Sequence, residues 1–165
     1  MSPILTAMLT PRGLVALAAA GSAAVLIAAL VFQALGFPPC DLCVLQRWPH
    51  LVAAILGALM LLLRLPMAFA GFGALAALTT SGFGLYHSGV ERHIFAGPDS
   101  CTTNPIASLS AQDLMAQISA APLVRCDEIA WQVLGVTMPN LNAVASLVFA
   151  GLWIAAALSD RRARR

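Results

Sequence analysis

Four long apolar stretches leave this chain few ways to fold. A helix crossing about 30 Å of hydrocarbon needs about 20 mostly apolar residues at 1.5 Å each. Residues 14–32 meet that length without a charge and are stopped by Gly36, Pro38 and Pro39. A second stretch, about 49–64, is short unless Val44 and Leu45 extend it, and it ends at Arg64-Leu65-Pro66. The third, about 67–86, carries Gly71, Gly73, Gly82 and Gly84, small residues that let helices approach closely in lipid. The fourth, about 141–158, lies between Pro139 and Asp160. The expected fold is all-α: one integral membrane domain over 1–165, a four-helix bundle with two external loops at about 33–48 and 88–140.

Composition agrees. Hydrophobic residues are 60% of the chain before its 12 glycines are added, and charged residues only 10%, against about 45–50% and 25% in a soluble domain. That leaves too little polar surface to cover a water-soluble particle. The basic residues are all arginines and form no continuous basic face, so nucleic acid is not an expected partner.

Arginines also set the orientation, because basic residues near span ends stay on the cytoplasmic side. Arg12, Arg64, Arg161, Arg162, Arg164 and Arg165 fall on the side shared by both termini; the other side holds Arg47, Arg92 and Arg125. Both termini are therefore expected in the cytoplasm, and Cys40, Cys43, Cys101 and Cys126 outside it. A cleaved leader is the alternative for the first stretch; its length and the lack of an A-x-A site count against that. In the long loop, Ser110 and Asp113 predict a short capped helix with Leu109, Leu114, Met115 and Ile118 on one side, ended by Pro122. It would lie flat on the membrane or pack on its own loop.

Cys40-Asp41-Leu42-Cys43 is a C-x-x-C, a spacing that lets two thiols close a small ring and one thiolate form easily. Zinc sites use the same spacing, but Cys101 and Cys126 make no second close pair, so no metal is expected. Inert structural disulfides are the other alternative. Against them, a bridge over so short a loop constrains the unfolded chain little. Arg47 lies four residues after Cys43, on the same face if the second helix begins here, where a cation and a helix N-terminus would both favour a Cys43 thiolate. Two cysteine pairs in accessible loops suggest thiol–disulfide exchange. With no flavin or dinucleotide fingerprint and no haem motif, the electrons need an external acceptor, and the one dissolved in a membrane is a quinone.

The residues Pro39-Cys40-Asp41-Leu42-Cys43-Val44-Leu45-Gln46-Arg47, followed by a later cysteine pair, resemble the DsbB family of bacterial inner-membrane disulfide bond formation proteins. The resemblance continues at Cys126-Asp127-Glu128, Trp131, Leu134-Gly135-Val136 and Met138-Pro139. Tyr86-His87-Ser88-Gly89-Val90-Glu91 and Gly97-Pro98 are similar to an alphaproteobacterial branch of it. The resemblance implies a protein-disulfide:quinone oxidoreductase that reoxidises a periplasmic DsbA-like dithiol oxidase and reduces ubiquinone or menaquinone. It implies a Cys101–Cys126 disulfide attacked at Cys101, exchange with Cys40–Cys43, and delivery of electrons from Cys43. By the same resemblance Arg47 lies beside the quinone; His87 and His93, both near the external end of the third span, are the alternatives for a further cofactor contact, and His87 is the one taken. Asp41 between the thiols and Gln46 in place of a commonly acidic residue depart from the pattern. A specialised paralogue with a dedicated partner is the nearest alternative. A non-enzymatic scaffold braced by disulfides is the more distant one.

Overall fold

The computed structural model describes residues 8–102, 110, 112, 115 and 124–163, with side chains through 159. Four helices carry the fold: α1 (Pro11–Ala34), α2 (Asp41–Leu62), α3 (Ala70–Glu91) and α4 (Met138–Ala163). A 3-10 turn at Met67–Phe69 leads into α3, and each helix is long and apolar enough to cross a membrane. Helix α1 packs on α2 and α4, and α3 packs on the same two, so the helices form a four-sided bundle in chain order.

Local chemistry sets the boundaries. Thr10 caps α1 by accepting the Gly13 amide at 3.1 Å, and Pro11 fills the first helical position, where no amide hydrogen is needed. Gly36, at φ 96°, turns the chain out of α1 in a conformation that suits glycine. Helix α2 begins at Asp41, ahead of the expected 49, and takes in Pro49; the external connection shrinks to the few residues after α1. Proline is tolerated inside a membrane helix because neighbouring helices satisfy the polar groups it frees. Helices α3 and α4 likewise extend beyond 86 and before 141 into the expected loop.

The interior is built from small residues around one large one. Trp153 is fully buried among Ala18, Ala19, Met60, Ala70, Ala74 and Ala77. Gly73 lies so close to its indole that a Cβ there would overlap the ring, and Gly84 faces Pro139 and Ala143 of α4. Gly71 and Gly82 have open space around them, so only two of the expected close-approach glycines serve the bundle. Large apolar side chains such as Ile27, Leu30, Phe72, Leu75 and Val144 point outward, as lipid-facing residues must.

Before α4, Gln132–Val133 pairs antiparallel with Val136–Thr137, and Leu134 and Gly135 at positive φ make the tight turn between them. The short helix expected after Ser110 falls largely on residues outside those described.

Candidate active site

The start of α2 brings the first cysteine pair together. Cys40 is the N-cap, and its sulfur accepts the Cys43 amide at 3.3 Å in the place a serine or aspartate oxygen usually takes. The two thiols are free, with their sulfurs 3.0 Å apart. The hydrogen bond with Cys43, and then burial, push the Cys40 thiol above its usual range. Cys40 therefore keeps its proton and donates it toward the Cys43 sulfur. Arg47 follows one turn later on the same helix, as expected, and its charge acts on Cys43.

The second pair is a disulfide, Cys101–Cys126, closed by a main-chain bond from the Cys126 amide to the Cys101 carbonyl at 2.7 Å. Reading these cysteines as accessible loop residues is corrected: both are fully buried. They pack with Cys40, Leu42 and Val90 in one cluster bordered by Cys43, Tyr86 and Val124. Apolar side chains at the end of the bundle draw the loop ends down over the α2 terminus, and all four cysteines meet there.

A surface ion pair holds the Cys126 segment. Arg125 bonds Asp127 through two nitrogens at 3.0 and 2.8 Å and reaches Glu128 at 3.2 Å. Hydrogen bonding to Arg125 keeps the Asp127 carboxyl below the usual carboxylate range. The pair's contribution is therefore complete above about pH 4 and is lost as pH falls through the lowered value. At neutral pH, phosphine reduction of Cys101–Cys126 is expected to be slower in the native chain than in Arg125→Ala, which lacks the pair at every pH. As pH falls through the lowered value, the two rates should converge.

His87 sits between the two helices that carry the site. It is 2% exposed, with Nδ1 3.0 Å from Gln46 Nε2 and Nε2 3.6 Å from Cys40 Sγ. The two ring nitrogens thus face Gln46 and the Cys40 thiol, and the Cys126 main chain also accepts a hydrogen bond from the ring. Ligand atoms of Cys40, Cys43 and His87 lie within 4.8 Å of one another. Together these three atoms could hold a metal ion, a grouping that the spacing of the cysteines alone did not suggest.

Arg47 reaches the other way, donating to Gln33 Oε1 at 2.8 Å and to the Ala29 carbonyl at 3.5 Å on α1. Its Nε is buried without a partner. Phe32, beside Gln33, packs against Phe37 and Trp131 with centroids 5.8 and 6.2 Å away.

Sequence reasoning missed the polar interior. Gln46, His50, Thr80 and Ser146 are buried, and Asn142 joins them, although the spans look nearly free of polar groups along the chain. Glu91 was also missed; it is 7% exposed, with Oε2 unpartnered and its charge acting on Cys43. Its place one helical turn after His87 was the available signal.

Comparison with known proteins agrees with this geometry. No solved structure matches the chain. An uncharacterized protein of Rickettsia prowazekii is 28% identical over 122 residues, 70% of this chain and 71% of that protein, in keeping with the alphaproteobacterial-like branch. The sequence profile described as "Disulfide bond formation protein DsbB" matches residues 11–156. With both cysteine pairs gathered at one end of four membrane-length helices and nearly the whole chain covered by that profile, this protein belongs to the DsbB family.

Proposed function

We propose that this chain is a thiol:quinone oxidoreductase that reoxidises a periplasmic DsbA-type dithiol oxidase and passes the electrons to ubiquinone or menaquinone. The family supports disulfide formation by quinone-linked oxidoreduction in an inner membrane. The observation that carries the finer reading is the packing of Cys40, Cys101 and Cys126 into one buried cluster, with Cys43 at its border.

In the proposed route a partner thiolate attacks Cys101, the Cys101–Cys126 bond breaks, and Cys126 leaves as a thiolate. The Cys126 thiolate attacks the oxidised C-x-x-C at Cys40, the sulfur inside the shared cluster. A Cys40–Cys126 bond forms, the Cys40–Cys43 bond breaks, and its electron pair stays on Cys43. The partner's second thiolate displaces Cys101, which then attacks Cys126 to restore Cys101–Cys126 and free Cys40. The α2 N-terminus and Arg47 support that negative charge. A quinone, when bound, supplies an acceptor for two electrons and two protons. The buried, unpartnered Arg47 Nε and the rings of Phe32, Phe37 and Trp131 at the same helix end fit a flat apolar molecule with carbonyl oxygens. His87 acts on the Cys40 sulfur.

Sidedness belongs to the same proposal: cysteines periplasmic, both termini cytoplasmic. Arg12 and Arg64 line one cavity with Thr10 and Met67 at the end away from the cysteines, in accord with the basic-side rule. An impermeant alkylating reagent should therefore label the reduced protein in intact cells at Cys43, the half-buried cysteine.

The deciding experiment is anaerobic mixing of the protein with a reduced periplasmic dithiol partner and quinone, following quinol. Quinol formation in step with partner oxidation is expected, and its absence would overturn the reading. Arg47→Ala should raise the quinone KM about tenfold or more, the worth of a charge-assisted hydrogen bond, with helicity kept. An unchanged KM would leave Arg47 with topology alone.

A further inference from the structure

Buried polar side chains between α2, α3 and α4 form one chain of hydrogen bonds whose hydrogens all point the same way, and two main-chain carbonyls set that direction. The Leu42 carbonyl can only accept, and Gln46 Nε2 lies 3.0 Å from it, so the Gln46 nitrogen is also the atom facing His87 Nδ1 at 3.0 Å. Asn142 is fixed in the same manner. Its Nδ2 lies 3.4 Å from the Thr80 carbonyl and 3.3 Å from the Thr80 hydroxyl, whose own hydrogen goes to the Gln46 carbonyl at 3.0 Å. Asn142 Nδ2 then donates to Gln46 Oε1 at 2.7 Å, and Asn142 Oδ1 accepts from His50 Nε2 at 2.7 Å.

An amide nitrogen donates, so His87 Nδ1 accepts, and the one hydrogen of the neutral ring sits on Nε2. That hydrogen is shared between the Cys126 main chain and Cys40 Sγ at 3.6 Å, and it leaves Nε2 no lone pair for the Cys40 hydrogen. The Cys40 sulfur already receives the Cys43 amide at 3.3 Å, so its own hydrogen is left for the Cys43 sulfur 3.0 Å away.

We propose that Gln46 and Asn142 are positioning residues: they hold His87 as the Nε2–H tautomer and thereby steer the Cys40 hydrogen onto Cys43, selecting Cys43 as the sulfur that bears negative charge. This deepens the proposed function and rests on its thiol chemistry. Donors aligned head to tail polarise one another, and here the sum ends on Cys43. The upstream end agrees, since His50 Nδ1 is the bare nitrogen this polarity requires and has no partner. A glutamate at 46 would reverse the arrangement. Its carboxylate would accept from His87 Nδ1, the Nε2 lone pair would face Cys40, and the Cys40 hydrogen would turn to His87 and away from Cys43. Carboxamide and carboxylate at this one position select different sulfurs.

The test reads the tautomer and the sulfur separately, on the full-length reduced protein in detergent. Nitrogen NMR of labelled histidine should find the His87 hydrogen on Nε2 in the native chain and on Nδ1 in Gln46→Glu. Limiting alkylation, with the sites identified by mass spectrometry, should favour Cys43 over Cys40 in the native chain. In Gln46→Glu that ratio should fall about tenfold, the worth of one hydrogen bond to a charged group. Gln46→Met, which adds no charge, should mix both tautomers and give an intermediate ratio; it decides the matter if the glutamate variant fails to fold. A native hydrogen on Nδ1, or a reversed tautomer with an unchanged ratio, would overturn the proposal. Neither readout uses an electron acceptor, so a failure here is distinct from a failure of quinone-linked turnover.

Discussion

Cys43→Ser is expected to stop quinone reduction at the uncatalysed background while the partner's mixed disulfide still accumulates on Cys101. A serine hydroxyl at 43 can neither form the disulfide with Cys40 nor carry a thiolate, and no other free sulfur stands beside Arg47 among the described residues. The Cys101–Cys126 bond lies elsewhere in the cluster and keeps its reactivity toward an incoming thiolate. Quinol formation measured beside non-reducing electrophoresis separates the two halves. Continued quinol formation by Cys43→Ser would remove Cys43 from the route.

The largest loss of stability is expected at Trp153. Its indole is fully buried, a Cβ at Gly73 would overlap it, and Gly57 gives way to Ala19 beside it. Trp153→Ala should cost about 3–5 kcal/mol, because the neighbouring alanines and glycines cannot move in to refill so large a void. Trp153→Phe should cost much less: the indole Nε1 is buried without a partner, so removing it also removes an unsatisfied donor. Gly73→Val should be as harmful as the cavity, since the new side chain overlaps the ring. Combined with Trp153→Ala it should cost less than the sum of the two, because each change relieves the other. Melting in detergent, followed by circular dichroism, checks all four variants.

What could be read along the chain was what depends on neighbours in sequence. The four apolar runs became four helices because their length and lack of charge leave lipid as their environment. The C-x-x-C and Arg47 were placed correctly one turn apart because helical spacing is local. The start of α2 was not legible: Asp41, Arg47 and Pro49 look like a loop until α3 supplies Thr80 for the Gln46 carbonyl and α4 supplies Asn142 for its side chain. The burial of Cys101 and Cys126, and the line from His50 through Asn142 and Gln46 to His87, depend on contacts up to 96 positions apart, which no local pattern encodes. The partners of His87, Gln46 and Cys40, come from another helix, so its contact with the thiol was not legible along the chain.

Cys40 serves as both a reactive thiol and the cap of α2, and the two duties share one sulfur. Once that atom enters a new disulfide it becomes a poorer acceptor for the Cys43 amide, weakening the cap by up to about 1 kcal/mol. In the proposed route, each exchange at Cys40 would therefore slacken the first coil of α2 as Cys43 gives up its electrons, tying local order at this helix end to its redox state.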